Sequence, residues 1–425
     1  MMKKIIAIIV LLSTMVLLIS CQNLNKSDKD IQPEIPPSPP SEADNEEQPE
    51  LAYEDKLISN MTLDEKIGQL VIIGFPEDTK FQTLMSFIKD NKVGGFILFK
   101  RNYDSFKELY ELNSKLKDWN NGNPLPLFIS VDEEGGTVSR MPEDGTTIPD
   151  AKIFGRINDT ALTEKSGKVV GKQLYASGIN LNFAPVLDIL SIKDNELLKV
   201  RAYGTDADRV SSHGISFIKG LASEKIIAVA KHFPGHGNTK VDSHSKLPII
   251  DIDRSLLESR ELLPFKNAIE EGIDAIMIGH LAFPKIDESG KPATKSKVFL
   301  TDILRNELGF QGLAITDEIE MYGFMEGDQS VAESVIESFN AGADIFVIGH
   351  TKEVQDKVLK AFKEGAANGL ISEERINESL RRIIKVKKKY NISDKMDLNY
   401  DDAYKLFTDG GNQQLLKEVK ERRKQ

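Results

Sequence analysis

Eight short apolar runs, each followed by a polar turn and an amphipathic stretch, dominate the chain from residue 52 to about residue 390. The runs are rich in Ile, Val and Phe and nearly continuous, which is typical of parallel strands buried on both faces. They cover residues 69–75, 93–99, 126–132, 179–189, 226–232, 273–280, 312–317 and 343–350. This repeat limits the fold to a few architectures in which parallel strands alternate with helices.

The stretches between the runs have helical character. The last of them, 372–389, begins with Ser372 as a predicted N-cap. The others are 160–177, 206–222, 253–271, 329–341 and 352–367. Eight strands alternating with helices predict an α/β fold, a (β/α)8 TIM barrel forming a single domain over residues 51–395. A doubly wound open sheet is the alternative, and the lack of a G-x-G-x-x-G after the first strand disfavours it.

The N-terminus has a different character. Lys3 and Lys4 precede the apolar run 5–19, a pattern that is typical of a secretory signal and a little short for a membrane span. Cys21, the only cysteine, follows Leu-Ile-Ser in a pattern that resembles the lipobox of bacterial lipoproteins. Residues 1–20 are therefore predicted to be a lipoprotein signal peptide, with Cys21 as the acylated first residue of the mature chain. An uncleaved anchor helix is the alternative.

Residues 21–50 are predicted to be a disordered tether. Residues 22–50 carry six of the seventeen prolines and almost no large apolar side chains, so they cannot bury a core. At about 3.1 Å per residue, such a segment reaches roughly 90 Å from a membrane. We therefore expect a protein outside the cytoplasm, lipid-anchored to a bacterial membrane at the cell surface or the periplasmic face. The polar segment 396–425 is expected to pack loosely on the outside of the barrel.

The net charge and the cysteine content restrict the classes of partner and the covalent links that are expected. The formal net charge is −11, and loss of Lys3 and Lys4 with the signal peptide makes the mature chain more acidic still. Such a surface argues against a nucleic-acid partner. If Cys21 is acylated, no disulfide remains, and stability must come from packing. We expect a monomer that needs no cofactor.

Ionisable residues end almost every predicted strand. In a TIM barrel the C-terminal strand ends form the active site. A structural barrel would tolerate a charge at one or two of these ends, whereas charges at seven of eight favour an anionic or polyhydroxyl ligand. The residues are Lys100, Arg101, Asp132, Asp188, Lys231, His232, His280, Asp317 and His350.

The stretch "KHFPGHGNTKVDSH", residues 231–244, holds three of the six histidines. His232 and His236 are four residues apart, a spacing that can bind zinc from one face of a helix. Pro234 and Gly235 stand between them, and neither residue type suits a helix interior. The stretch is therefore a predicted loop, and no metal site is expected in it.

Five motifs in sequence order resemble those of family 3 glycoside hydrolases, specifically the β-N-acetylglucosaminidase (NagZ-like) branch. They are "DEEGGTVSRM" (132–141), "RAYGTD" (201–206), "KHFPGHG" (231–237), "DSH" (242–244) and "ITDEIEM" (315–321). The resemblance spans roughly residues 55–390. It implies a retaining exo-β-N-acetylglucosaminidase that releases terminal GlcNAc from cell-wall muropeptides or chitooligosaccharides.

Retention needs a carboxylate nucleophile and a group that protonates the leaving oxygen. Asp317 ends an apolar run, where a carboxylate is costly unless it faces the barrel mouth, and the resemblance makes it the nucleophile. Its neighbour Glu318 is interpreted as a supporting residue. Asp242 and His244 are two apart, on one side of an extended segment, where the carboxylate favours a protonated imidazole. The resemblance makes them the acid/base dyad; a solvated loop histidine is the alternative.

The resemblance also implies five sugar-binding residues, namely Asp132, Arg140, Arg201, Lys231 and His232. Lys231 and His232 are adjacent in a strand, so a local bend must turn both side chains inward. His236 is interpreted as a residue that stabilises the loop. The sequence departs from the family pattern at Glu133, where glutamine is common, and at Asn238, where aspartate is usual.

Other functions stay open at this stage. A family 3 β-glucosidase or β-xylosidase is one, although the "DSH" dyad and the lack of room for a second domain after residue 390 count against it. A non-catalytic sugar-binding lipoprotein is another, and the presence of Asp317, Asp242 and His244 counts against that. Either water or phosphate could resolve a glycosyl-enzyme intermediate.

Overall fold

Eight parallel strands close into a barrel in a computed structural model that describes residues 52–239, 246–325, 329–408 and 411–424. The strands are β1 Val71–Ile73, β2 Gly95–Ile97, β3 Phe128–Val131, β4 Leu181–Asn182, β5 Ile227–Phe233, β6 Ala275–Ile278, β7 Leu313–Glu318 and β8 Ile345–Ile348. Each strand pairs with the next along the chain, and β8 pairs with β1 through Val347 and Ile72.

The predicted (β/α)8 TIM barrel is thereby confirmed, and the open sheet is excluded. Each predicted apolar run contains one strand, and β5 and β7 extend one residue past their runs, to Phe233 and Glu318. Almost every strand residue is buried, because side chains point alternately to the barrel interior and to the surrounding helices. This double burial explains why the sequence shows continuous apolar runs instead of alternation.

The six predicted helical stretches are present, with ends within about two residues of the predicted positions, and further helices lie outside those stretches. The helices are α1 Tyr53–Ser59, α2 Leu63–Gly68, α3 Phe81–Lys89, α4 Phe106–Asn120, α5 Ala151–Ile157, α6 Thr160–Ala176, α7 Ala207–Ser223, α8 Arg254–Leu256, α9 Leu263–Glu270, α10 Tyr322–Met325, α11 Val331–Ala341, α12 Lys352–Ala367, α13 Glu373–Lys389, α14 Tyr400–Phe407 and α15 Gly411–Arg422. A π-helical turn, Leu257–Glu261, joins α8 to α9, and Val298–Glu307 is also π-helical.

Polar caps explain where the longest helices begin. The side chain of Ser372 accepts a hydrogen bond from the backbone N–H of Arg375, which confirms the predicted N-cap of α13. Asp159 and Asp206 accept equivalent bonds at the starts of α6 and α7. Each cap of this kind contributes about 1 kcal/mol to stability.

The C-terminal segment differs from the expected loose tail. It forms α14 and α15, and Phe407 is fully buried with its ring centroid 4.4 Å from that of Phe106. The same ring lies against Gly145, where an added Cβ would come within 2.8 Å of it. Gln173 of α6 holds the adjoining residue, Thr146, by two hydrogen bonds to its backbone. The C-terminal helices thus support the loop that follows β3.

None of the helices in the described ranges is long and apolar enough to span a bilayer. The predicted signal peptide, Cys21 and the tether lie outside the described residues.

Candidate active site

The C-terminal ends of the strands surround a cavity of about 380 Å³. Its walls combine apolar side chains with a dense set of charged ones. The charged and imidazole-bearing residues are Asp132, Glu134, Arg140, Arg201, Lys231, His232, His236, Asp317, Glu318, Glu320 and His350. All six predicted site residues that the structure describes therefore line one cavity.

A four-residue ion-pair network forms one wall. The buried Lys231 Nζ lies 2.8 Å from Asp132 Oδ1 and 2.8 Å from Glu134 Oε1. Arg201 makes a bidentate contact with Glu134 at 2.7 and 2.8 Å. Although burial favours a neutral amine, the two carboxylates raise the pKa of Lys231. Burial likewise opposes ionisation of Glu134, but Arg201 and Lys231 hold its pKa well below the usual value. The wall therefore presents fixed donors and acceptors suited to hydroxyl groups.

Lys231 and His232 both face this cavity although they are neighbours in β5. The register between β5 and β6 is irregular between Ala230 and Phe233, and the peptide bond between Lys231 and His232 is cis. The local bend that was expected at Lys231 and His232, so that both side chains face inward, is present.

His232 is held by a buried carboxylate. Its Nδ1 lies 2.6 Å from Oδ2 of Asp188, which is fully buried at the end of the chain segment that follows β4. Oδ1 of the same carboxylate accepts the backbone N–H of His236 at 2.7 Å. Burial alone would raise the pKa of Asp188, but His232 and His236 lower it. One buried anion therefore fixes both the His232 ring and the start of the following loop.

The loop after β3 carries Arg140 and is organised by Glu133. The fully buried Glu133 Oε2 accepts hydrogen bonds from Ser139 Oγ and from the backbone N–H groups of Arg140 and Met141, at 2.6 to 3.1 Å. Arg140 reaches the cavity, with Nη2 3.9 Å from Asp132 Oδ2. Two glycines with positive φ make the turn, Gly135 at +90° and Gly136 at +53°.

Glu133→Gln is expected to increase the free energy of unfolding at pH 8, by up to about 3 kcal/mol, and to change it little at pH 4. Burial raises the pKa of Glu133 to about 7. In the unfolded chain a glutamate ionises near pH 4.3. The free energy of unfolding of the parent protein therefore falls as the pH rises from about 4.3 to about 7. Glutamine keeps an acceptor oxygen and cannot ionise. Denaturant unfolding of the parent and the variant from pH 4 to 8 measures the difference between their free energies of unfolding. A difference that becomes smaller toward pH 8 would contradict this account.

Asp317 stands at the end of β7, opposite the ion-pair network. Its Oδ1 accepts the backbone N–H of Glu318 at 2.8 Å. Burial works against ionisation, but His232 and His280 together with this amide lower the pKa of Asp317. The carboxylate is therefore ionised at neutral pH and faces a cavity, as a nucleophile requires.

The remaining strand-end residues have mixed positions. His350 lies on the cavity rim with its ring 5.1 Å from that of Phe99, and Arg101 Cζ lies 4.1 Å above the same Phe99 ring. His280 is fully buried beneath the cavity and contacts Thr294 and the backbone oxygen of Glu318. These residues line or support the cavity without joining the ion-pair network.

The predicted dyad residues Asp242 and His244 lie outside the described residues, so their role stays a prediction. In the part of the chain that is described, no three His, Cys, Asp or Glu side chains group to hold a metal ion. Glu134, which pairs with both Arg201 and Lys231, was not among the predicted site residues. Its signal was the run of three acids, 132–134, directly after a buried strand.

Comparison with known proteins decides the family. The glycosyl hydrolase family 3 N-terminal domain matches residues 62–386. The chain belongs to glycosyl hydrolase family 3. The resemblance inferred from five motifs is thereby confirmed, and the match covers the whole barrel from before β1 to near the end of α13.

Relatives of this family 3 protein include hexosaminidases. Beta-hexosaminidase A of Pseudoalteromonas piscicida is 32% identical over 333 residues, which are 72% of this chain. This chain spans only 55% of that protein's length. A beta-hexosaminidase of Methylobacillus flagellatus is 35% identical over 283 residues, 65% of this chain and 79% of its own length.

A solved structure shares the fold closely. The family 3 β-N-acetylglucosaminidase from Paenibacillus sp. str. FPU-7 superimposes with a TM-score of 0.79 at 33% identity, over 85% of this chain and 69% of that one. The family 3 barrel described here is therefore similar throughout to that of a β-N-acetylglucosaminidase.

Proposed function

We propose that the protein is a retaining exo-β-N-acetylglucosaminidase that releases terminal GlcNAc from glycans through a covalent intermediate on Asp317. The observation that carries the proposal is the ionised Asp317 facing, across one cavity, the network of Lys231, Asp132, Glu134 and Arg201. The relatives are named beta-hexosaminidase and β-N-acetylglucosaminidase, which supports GlcNAc as the terminal sugar. The enclosed volume of about 380 Å³ suits one terminal sugar ring.

In the first step, the network and His232 bind the hydroxyl groups of the terminal sugar and hold its anomeric carbon over Asp317. An oxygen of Asp317 attacks that carbon, and the bond to the leaving oxygen breaks. The leaving oxygen needs a proton, and we assign its delivery to His244, with Asp242 favouring the imidazolium form. Charge developing on the sugar ring is stabilised by the carboxylates of the site.

In the second step, neutral His244 takes a proton from a water molecule, and the oxygen of this water attacks the anomeric carbon. The bond to Asp317 breaks, the carboxylate is restored, and the sugar leaves with its configuration retained after two inversions. His244, with Asp242 beside it, thus acts first as the acid and then as the base.

Product analysis tests the proposal. Purified protein is given nitrophenyl β-glycosides of GlcNAc, glucose and xylose, and NMR follows the anomeric configuration of the first product. We expect the GlcNAc substrate to be preferred and the β-anomer to form first. Preference for glucose or xylose would instead assign a family 3 β-glucosidase or β-xylosidase, and an inverted product would exclude the intermediate.

A second product analysis identifies the natural glycan and shows whether water or phosphate accepts the sugar from the intermediate. Disaccharide-peptide from cell wall and chitobiose are compared as substrates, each with and without inorganic phosphate. Release of free GlcNAc in both conditions indicates hydrolysis, whereas GlcNAc 1-phosphate indicates phosphorolysis. We expect hydrolysis, and cell-wall fragments suit an enzyme held outside the cytoplasm.

Lipid anchoring by Cys21 is the proposed route to that location. Cys21→Ser is expected to abolish lipid attachment, because only the cysteine thiol can take a thioether-linked lipid. The variant should take up no labelled fatty acid in growing cells, whether it stays uncleaved or is released, and it should retain the activity of the parent per molecule, since Cys21 lies before the tether. A parent protein that takes up no label and keeps residues 1–20 would show that the apolar run 5–19 anchors the chain as a helix.

A further inference from the structure

Glu318, the residue after the proposed nucleophile, is tied to the barrel by its amide, its carbonyl and its carboxyl group. Its N–H donates to Asp317 Oδ1 at 2.8 Å, and its carbonyl oxygen lies 2.9 Å from His280 Nε2. Its two carboxyl oxygens accept the backbone N–H groups of Gly349, at 2.5 Å, and of Glu320, at 3.1 Å. Glu318, whose N–H holds Asp317, is therefore fixed through its backbone and its side chain.

His280 provides the contact from below. Burial lowers the pKa of His280 to about 4, so its ring is neutral at neutral pH. Because a carbonyl oxygen can only accept, Nε2 carries the proton and donates to Glu318. The hydroxyl of Thr294, 2.9 Å from Nδ1, then donates to the other ring nitrogen.

Gly349, at the end of β8, provides the contact from the side. An added Cβ at this position would lie 2.4 Å from Glu318 Oε2, so only glycine leaves room for the carboxyl group against the amide. The pairing of β7 with β8 is irregular between Ile315 and Glu318. Beyond this irregularity the backbone N–H of Ile319 donates to the carbonyl oxygen of Val347 at 3.1 Å. The Glu318 side chain adds a second link to the end of β8 through the Gly349 amide.

We propose that Glu318 is a positioning residue for the nucleophile. By binding the Gly349 amide it fixes the peptide N–H that holds Asp317 Oδ1, and thereby directs the carboxylate at the anomeric carbon. The proposal rests on the proposed role of Asp317. Both carboxyl oxygens of Glu318 accept backbone N–H groups, which is the contact that a positioning role requires. Burial raises the pKa of Glu318 to about 8, so the experiment must also distinguish positioning from proton transfer to the substrate.

Kinetics of Glu318→Ala and Glu318→Gln test this role. Glu318→Ala is expected to lower kcat/KM about 10²-fold, because a misplaced reacting group of this kind costs about that much. The loss should be equal for nitrophenyl and dinitrophenyl GlcNAc, and the inhibition constant of free GlcNAc should not change. Glu318→Gln should lower kcat/KM less than Glu318→Ala does, since glutamine keeps one acceptor oxygen. It should still lower it, because the glutamine NH2 group faces a backbone N–H and cannot accept its hydrogen bond.

Gly349→Ala displaces the Glu318 carboxyl group without removing it, so this variant should show a fall in kcat/KM like that of Glu318→Ala. In both Glu318→Ala and Gly349→Ala, the acid limb of kcat/KM should move to higher pH, because Asp317 loses a well-placed amide donor. The other groups that act on Asp317, His232 and Lys231 of β5 and His280 just after β6, remain in place. Glu65→Gln is the matched control: Glu65 also accepts a backbone N–H, from Thr62, at a helix that precedes β1.

Three results with the variants would overturn the inference alone. Unchanged kcat/KM in Glu318→Ala and Gly349→Ala would show that the peptide is fixed without the carboxyl group. A loss that is larger for the poorer leaving group would make Glu318 a proton donor. Parallel losses in kcat/KM, in GlcNAc binding and in thermal stability would make it a structural residue only. A wild-type protein that cleaves no aryl glycoside would overturn the proposed function together with this inference.

Discussion

Asp317→Asn is expected to lower kcat by about 10⁴-fold or more on every GlcNAc glycoside, whatever the leaving group. The amide cannot form the glycosyl-enzyme, and it keeps the size and the acceptor oxygen that bind the Glu318 N–H. Steady-state rates on nitrophenyl and dinitrophenyl GlcNAc measure the loss, and the inhibition constant of GlcNAc shows that the cavity is intact.

Azide distinguishes loss of the nucleophile from general damage. In Asp317→Ala, azide can enter the vacated space and attack the anomeric carbon directly, which gives an inverted glycosyl azide. A residual rate within about ten-fold of the parent, or a retained product with azide, would assign the nucleophile to another carboxylate. Glu318 and Glu320, which line the same cavity, are the next candidates.

His244→Gly is expected to lower the rate on disaccharides by about 10²–10⁴-fold and to spare the first step on dinitrophenyl GlcNAc. An acidic leaving group departs without a proton, so only the second step, which needs a base, remains slow. Phenol release should therefore show a burst, and mass spectrometry should find the sugar attached to Asp317. Azide should restore part of the steady rate with retained configuration, the opposite of its product with Asp317→Ala.

Asp242→Ala serves as the companion variant. It should weaken catalysis less than His244→Gly and shift the limb of the pH profile that reports the imidazolium, because the ring loses the carboxylate that favours its charged form. Equal losses on activated and unactivated substrates, with no burst, would show that His244 only shapes its loop.

The barrel was predictable because its signals are local. Buried parallel strands must be apolar along their whole length, and the helix N-caps depend on residues three positions apart, such as Ser372 and Arg375. The strand-end rule of the TIM barrel then placed Asp132, Lys231 and Asp317 at one end without any knowledge of their contacts. The fold and the neighbourhood of the site follow from these local rules.

The pairings within the site were less predictable because they depend on closure of the barrel. Glu134 and Arg201 are 67 residues apart, and Lys231 and Asp132 are 99 apart. Nothing in the spacing selects these partners from the other acids and bases at the strand ends. The inward turn at Lys231 and His232 was expected from the family roles, but its form, a cis peptide at a register irregularity, has no local sequence code.

Phe407 lies beyond the family domain and packs against a loop inside it. The domain match ends at residue 386, and a chain ending at 395 would keep all eight strands. It would lose the ring that packs on Gly145 and Phe106, and with it one side of the support for the loop that carries Arg140. The last strand of the barrel and the last residue that supports the cavity loop are therefore far apart in the chain, and shortening the C-terminus before Phe407 is expected to disturb the loop that carries Arg140.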